Sequence, residues 1–510
     1  MFFSGFGTIY RRNFTNKAMA SLSREALQQE NKFVMETAKL IEKEILSSPP
    51  TRKEKVINFL HPQELIDRVD FKLNESGMNQ EQLLKLCKDA IKYSVRTSNP
   101  MFVNQLYHAA DPYSLAGSWL TEALNTNQHT FEAAPFFIVL EQLLLREVRS
   151  IIGWESGDGI FAPGGSIGNM YAMTLARHHK YPEAKRKGLA QCGHLVAFTS
   201  DEAHYSIKKS ANWIGLGMDN VITVKTNEFG EMIPAELDFA MVKAKSEGKI
   251  PFFVNATCGT TVLGASDSFV AVGEICKKHD VWMHIDAAWG GSLLLSKKHR
   301  KESLKGVELA DSIVWNPHKM LGASLQCTLF LTKYQNLLKE CNSASATYLF
   351  QQDKFYDTQY DTGDKSMQCG RKVDVLKLWL MWKARGTNGL EHLVDNACHQ
   401  ALYFQSLIKE RPGFRLVIPR VQCTNVCFWY VPPSLRGQEE TEEWWKELGQ
   451  VAPKIKERMV KEGTMLIGYQ PLGTKKLPNF FRLVISCQPP LTNDDMKHIA
   501  DEIERLGNDL

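Results

Sequence analysis

No two of the eleven cysteines stand in a C-x-x-C pair, and their number is odd. That spacing argues against a disulfide framework and against a thiolate metal cluster. It points to reduced thiols in a reducing compartment, with the cytoplasm as the expected location. Cys423 and Cys427 come nearest to a pair, but the residues between and after them, Thr-Asn-Val and Phe-Trp-Tyr, have the texture of a strand. No companion ligands flank them, so no metal is expected. Long apolar runs are missing too. Nothing approaches the ~18 consecutive apolar residues of a membrane span, so a membrane is not an expected partner. Charge of one sign is scarce: a net +4 over 510 residues, with no basic stripe, gives nucleic-acid binding no footing. Internal repeats and low-complexity tracts are absent as well.

One local bias stands out. The opening "MFFSGFGTIYRRNFTNKAMASLSR" carries Arg11, Arg12 and Lys17 and no acid before Glu25. Its composition is similar to that of a mitochondrial presequence, although Gly5 and Gly7 weaken any helix there. Residues 1–28 are expected to form a flexible tail, with mitochondrial targeting the alternative to a cytoplasmic location.

Hydrophobic residues make up 44% and charged residues 23%, enough apolar material for a large core. At roughly 150 residues per domain the length suits about three domains, or one large α/β domain with satellites. In "KFVMETAKLIEKEIL" the spacing predicts a helix with Val34, Ala38, Ile41 and Ile45 near one face. "TRKEKVINFLHPQEL" is expected to break at Pro62, and "FEAAPFFIVLEQLLLREVRSIIGW" to form a long buried helix. From about 155 to 330 the texture changes. The short β-rich runs "HLVAFTS", "NVITVK", "PFFVNAT", "VWMHIDAA", "DSIVWN" and "CTLFLT" alternate with helical pieces. This predicts a mainly parallel sheet covered by helices, with its chemistry at the carboxyl ends of the strands. Residues 348–371, polar and aromatic, read as a long functional loop. The chain divides into an N-terminal helical segment (29–125), a large domain (126–385) and a small C-terminal α+β domain (386–510).

Two strand ends carry chemistry. "MHIDAAWGG" closes an apolar strand on Asp286, and "DSIVWNPHKMLG" closes another on a polar run ending in Lys319. A lysine in a partly apolar pocket loses its charge more easily and becomes a nucleophile. Taken alone, either residue is as readily a cap or half of a buried ion pair. Together they are what a pyridoxal phosphate enzyme requires: an amine for the aldehyde, held as a Schiff base, and a carboxylate for the ring nitrogen. "APGGSIGNMYAM" adds Gly165 and Ser166 at the opening of a helix, where backbone N–H groups and a hydroxyl can face a phosphate. His204, past the strand "HLVAFTS", is placed to stack on the ring.

At this point the sequence resembles the pyridoxal phosphate-dependent group II decarboxylases, the glutamate decarboxylase group. The motifs are "PGGSIGNMYAM", "AHYSIKK", "HIDAAWGG", "NPHKMLG", "YLFQQDKFYDTQYDTGDKSMQCGR", "TNVCFWYVPPSLRG" and "PNFFRLVIS", in order from about residue 60 to the C-terminus. Within that family they look most like the cysteine sulfinate decarboxylases and the glutamate decarboxylase-like acidic amino acid decarboxylases. The resemblance implies an aminotransferase-like (type I) α/β fold and a homodimer with its site near the subunit interface. It implies pyridoxal 5'-phosphate as cofactor and a small acidic amino acid as substrate. By the same resemblance Lys319 is the Schiff-base lysine, Asp286 pairs with the ring nitrogen and His204 stacks on the ring. Gly165, Ser166, Asn316 and His318 lie on the phosphate side, and Thr260 and Ala288 line the ring. Arg482 grips the retained acid, Gln105 and Tyr107 face the substrate, and Tyr356 on the long loop donates the proton. Two positions depart from the pattern: Gly168, where the family commonly has Ser, and Ala203, where Ser or Cys is usual.

A ring as large as Tyr107, where glutamate decarboxylases carry Ser, shortens the pocket. Aspartate, giving β-alanine, and cysteine sulfinate, giving hypotaurine, are therefore the expected substrates, with cysteic acid (giving taurine) a third. A glutamate decarboxylase and an inactive homologue acting as a binding protein are the alternatives. Aminotransfer and aromatic decarboxylation fit less well beside Arg482.

Overall fold

The computed structural model describes residues 24–47 and 51–510. The expected tail therefore falls largely outside the described residues, as does its presequence-like composition. A two-residue strand β1 (Phe102–Val103) comes first. Seven strands follow: β2 (Asp158–Phe161), β3 (Leu195–Ser200), β4 (Val221–Val224), β5 (Ile250–Thr257), β6 (Trp282–Ala287), β7 (Ser312–Trp315) and β8 (Leu329–Thr332). The last four are β9 (Phe414–Leu416), β10 (Asn425–Tyr430), β11 (Leu466–Leu472) and β12 (Leu477–Val484).

The central sheet runs β2-β8-β7-β6-β5-β3-β4. β4, β3, β5, β6 and β7 pair in parallel, and β8 joins antiparallel to both β7 and β2. Both faces are covered, which is why its strands read as near-continuous apolar runs. Along β3, Leu195 and Ala197 enter one core while Val196 and Phe198 enter the other. The chain is thus α/β with a mainly parallel sheet, as its alternating pattern implies.

The second sheet runs β1-β11-β12-β10-β9. It is antiparallel except for the β1–β11 pair, and helices Glu442–Glu462 and Asn493–Gly507 pack on it. β1 belongs to the N-terminal segment, so that segment lends a strand to the C-terminal sheet. Helix Val375–Lys409 runs across the expected division at 385/386, where Gly386 leaves helical geometry at φ 65°, ψ 170°.

Two local expectations are corrected. Pro62 starts a helix, Pro62–Arg68, rather than ending one; at the first helical position its missing N–H costs nothing. In helix Arg24–Ile41 the face expected to be apolar does not turn inward as a whole. Val34 is 62% exposed, and Leu40 is the residue that becomes buried. This helix packs mainly on helix Gln80–Tyr93, at the edge of the body.

Helix Gly165–Lys180 lies directly on β7. A Cβ at Gly168 would overlap the Val314 Cγ2 methyl, so in this chain the family's Ser position is filled by Val314. Gly168→Ser is expected to cost about 1–3 kcal/mol through overpacking, read as a lower midpoint in thermal or urea unfolding. An unchanged midpoint would show that the helix stands off the strand.

Candidate active site

The carboxyl ends of β3, β5, β6 and β7 surround a cavity of about 220 Å³. Its wall holds Lys319, Asp286, His204, Gly165, Ser166, Ala288, Asn316 and His318. Two clefts of about 610 and 910 Å³ lie elsewhere, and neither groups strand-end residues around a lysine.

Lys319 is delivered by a tight turn after β7. Its N–H donates to the Asn316 carbonyl at 2.9 Å, and Gly322, at φ +86°, closes the turn with an N–H to the Lys319 carbonyl at 3.2 Å. β6 is the next strand, with Asp286 level with Val314. Burial pulls the Lys319 ammonium below the usual lysine range, and Arg482 adds to the effect, while Asp286 opposes it. Asp286 is held from two sides: Oδ1 accepts from the Ala288 N–H at 3.0 Å and Oδ2 from Asn169 Nδ2 at 2.8 Å. Burial also lowers the affinity of His204 for its second proton. His318 is pushed down to about 4 by burial, and its Nδ1 lies 2.7 Å from the Cys327 carbonyl.

The opposite end suits an anion. Helix Gly165–Lys180 begins at Gly164 with no side-chain cap; the Ile167 and Gly168 N–H groups both donate to the Gly164 carbonyl at 3.1 Å, which leaves the N–H groups of Gly165 and Ser166 free for an anion. A Cβ on Gly165 would come to 2.8 Å from Asn316 Nδ2, so only glycine lets the backbone approach this closely. Asn316 Oδ1 is buried without a partner. An unpaired amine, a carboxylate, a neutral histidine and an uncapped helix start make a donor set that pyridoxal phosphate fits.

Other predicted residues lie outside this wall. Thr260 is turned away: its Oγ1 accepts from the Ala265 N–H at 3.0 Å and shapes a turn, while Gly259 and Thr261 on either side do the lining. Arg482, on β12, stands behind Thr261. Its Nη1 donates to the Thr261 carbonyl at 2.8 Å and its Nη2 to the Asn104 carbonyl at 3.3 Å. Leu106 enters the wall between an exposed Gln105 and a half-buried Tyr107, whose ring lies 5.9 Å from Phe102. No residue of the 348–371 loop reaches the cavity. Tyr356 instead donates its hydroxyl to Asp361 Oδ1 at 3.1 Å and packs its ring on Phe131.

Thr257, a polar strand end, also lines the wall, and residues not singled out from sequence complete it, among them Asn169, Tyr205 and Trp289. Asn169 had a signal, since it lies four residues after Gly165 on the same helix face.

A family model described as the pyridoxal-dependent decarboxylase conserved domain matches residues 62–431. The human cysteine sulfinic acid decarboxylase is 52% identical over 458 residues, 90% of this chain and 92% of that protein. The acidic amino acid decarboxylase GADL1 of Xenopus tropicalis is 50% identical over 480 residues, 94% of this chain and 93% of that protein. A crystal structure of mouse CSAD in apo form superposes with a TM-score of 0.90 at 48% identity, covering 94% of this chain and 99% of that one. The chain belongs to the pyridoxal-dependent decarboxylase family, and its cofactor is pyridoxal phosphate.

Proposed function

We propose that the protein decarboxylates small acidic amino acids: aspartate to β-alanine, cysteine sulfinate to hypotaurine and, as a third substrate, cysteic acid to taurine. The observation that carries this reading is Arg482. It is buried, no carboxylate of the described residues lies within ion-pair distance, and its Nε has no partner. A guanidinium has five N–H donors, and the two carbonyls engage two of them. An unpaired buried cation costs free energy unless an anion joins it, and the acid group of a substrate fills that role. The names of the relatives, cysteine sulfinic acid and acidic amino acid decarboxylases, support the same substrate class.

Lys319 would hold the cofactor through its amine and Asp286 would face the ring nitrogen. Gly165, Ser166, Asn316 and His318 would stand on the phosphate side. The bound cofactor supplies a sink for the electrons of the broken carbon–carboxylate bond. The chain's own part is to hold the retained acid at Arg482, leave the departing carboxylate without a strong ion pair, and exclude water. Tyr356 remains the proposed proton donor. With its hydroxyl on Asp361 and outside its own cavity, it fits a homodimer in which the loop serves a site at the subunit interface. Exposed Met35, Phe71, Leu73, Leu120, Leu124 and Phe136 supply apolar surface for such a contact. The eleven free thiols accord with a cytoplasmic location.

The test is product formation with aspartate, cysteine sulfinate and glutamate offered separately. Aspartate and cysteine sulfinate should be turned over and glutamate poorly. Tyr107→Ser should then raise glutamate turnover by roughly tenfold or more, since one methylene of pocket depth is worth about 1–3 kcal/mol. Glutamate left inert in that variant, with the shorter acids unchanged, would remove Tyr107 from the specificity argument.

A further inference from the structure

The cavity is backed by a chain of buried hydrogen bonds. Trp282 Nε1 donates to Ser312 Oγ at 2.9 Å, and Ser312 Oγ lies 2.9 Å from His284 Nδ1. His284 Nε2 lies 2.9 Å from Asn169 Oδ1. Asn169 Nδ2 spends one hydrogen on Asp286 Oδ2 and the other on Ser206 Oγ, each at 2.8 Å. Ser206 Oγ lies 2.8 Å from His204 Nδ1. His284, Ser312 and Ser206 are fully buried, so no water replaces a lost partner.

The direction of every bond follows from the chemistry of its ends. A carboxylate only accepts, so the Asn169 amide turns its NH₂ to Asp286 and its oxygen to His284. An amide oxygen only accepts, so His284 carries hydrogen on Nε2. Burial pushes His284 down to about 4, so it is neutral, and its Nδ1 accepts the Ser312 O–H. The Ser206 backbone N–H donates to His204 Nδ1 at 3.3 Å, so that nitrogen is an acceptor and carries no hydrogen. It takes the Ser206 O–H as well, while the second Ser206 lone-pair side is used by Asn169.

We infer that Asn169 and His284 are positioning residues that lock His204 as the tautomer bearing its hydrogen on Nε2, the nitrogen left free to face the cavity. This rests on the substrate reading above for its purpose. A neutral N–H can orient the carboxylate that is to be lost without the ion pair that would deepen the ground state. The opposite tautomer would present a lone pair to that carboxylate. Asn169 also grips Asp286, so a single amide aligns the group at the ring nitrogen and the group over the ring.

The test begins with hydrogen positions in the unliganded protein, by neutron diffraction from deuterated crystals. Deuterium is expected on Nε2 of both His204 and His284, and on neither Nδ1. Deuterium on His204 Nδ1 would overturn the inference whatever the enzyme decarboxylates. The second arm compares His284→Gln, whose amide still places a donor near Nε2, with His284→Leu, which has none. His284→Leu should lower kcat about tenfold with KM for the acid unchanged, and should alter the absorbance of bound cofactor. His284→Gln should retain most of both. Equal losses in the two variants would reduce His284 to a packing role and refute its part in the chain.

Discussion

Lys319→Ala is expected to abolish decarboxylation of every acid while leaving the protein as stable as before, or more so. Activity should fall by roughly 10³-fold or more, the scale of losing a nucleophile and its acid–base function together. Stability should hold because the amine does no structural work: no hydrogen bond or ion pair ties it to the described residues, and burial already weakens its hold on the proton. Removing an ammonium from a buried, unpaired position relieves a cost rather than creating one, as happens where function is placed against stability. Product assays and thermal unfolding on the same preparation check this. A large fall in midpoint would make Lys319 structural, and product at near-normal rates would remove it from the chemistry. The pH direction follows from the same burial. The lowered proton affinity leaves more free amine near neutrality than an exposed lysine has. Cofactor capture by the unliganded protein should therefore persist to a lower pH than capture by a solvent-exposed lysine.

The central sheet was legible because its strands are short, apolar and end in polar residues. Each predicted run of that kind became a strand, and the polar ends of β3, β5, β6 and β7 meet around the cavity, whereas β8 runs the other way and the short β2 was not predicted. β1 and β11 escaped notice for different reasons. β1 is two residues long, and β11 alternates half-exposed residues around a proline. Their parallel pairing is a tertiary event that no local pattern announces. Pro62 shows the limit of residue rules: the same ring ends a helix or begins one according to where the N–H would be needed. At the site, Lys319, Asp286 and Gly165 were legible from strand and helix ends. His284 was hidden in plain view, two residues before Asp286 and so on the same face of β6. A histidine inside an apolar strand reads as core until the helix bearing Asn169 is laid against it. Tyr356 and Thr260 show the converse, that a motif names a residue without saying where its hydroxyl points.

Arg482→Met should raise KM for aspartate and cysteine sulfinate and cut kcat/KM by about 10²–10³, the scale of removing one partner of a desolvated charge pair. Arg482→Lys should recover only part of it, because an ammonium keeps the charge but not the fork that grips a carboxylate or sulfinate in two places. The position makes a purely structural outcome easy to recognise. Arg482 pairs on β12 with Cys427 of β10 and Gly468 of β11, and a Cβ on Gly468 would come to 3.0 Å from the Asn104 carbonyl that the guanidinium holds. The arginine therefore ties the C-terminal sheet to Asn104 on one side and to the turn at Thr261 on the other. Were those two bonds its whole purpose, Arg482→Met would lower the unfolding midpoint and reduce kcat for all acids, with KM little changed. A buried guanidinium with three of its five donors free and no acid beside it is a poor choice for a tie, since two neutral donors would serve without the desolvation cost. The split between KM and kcat, measured with aspartate on both variants, therefore decides between an anion receptor and a strut, and the unpaired charge argues for the receptor.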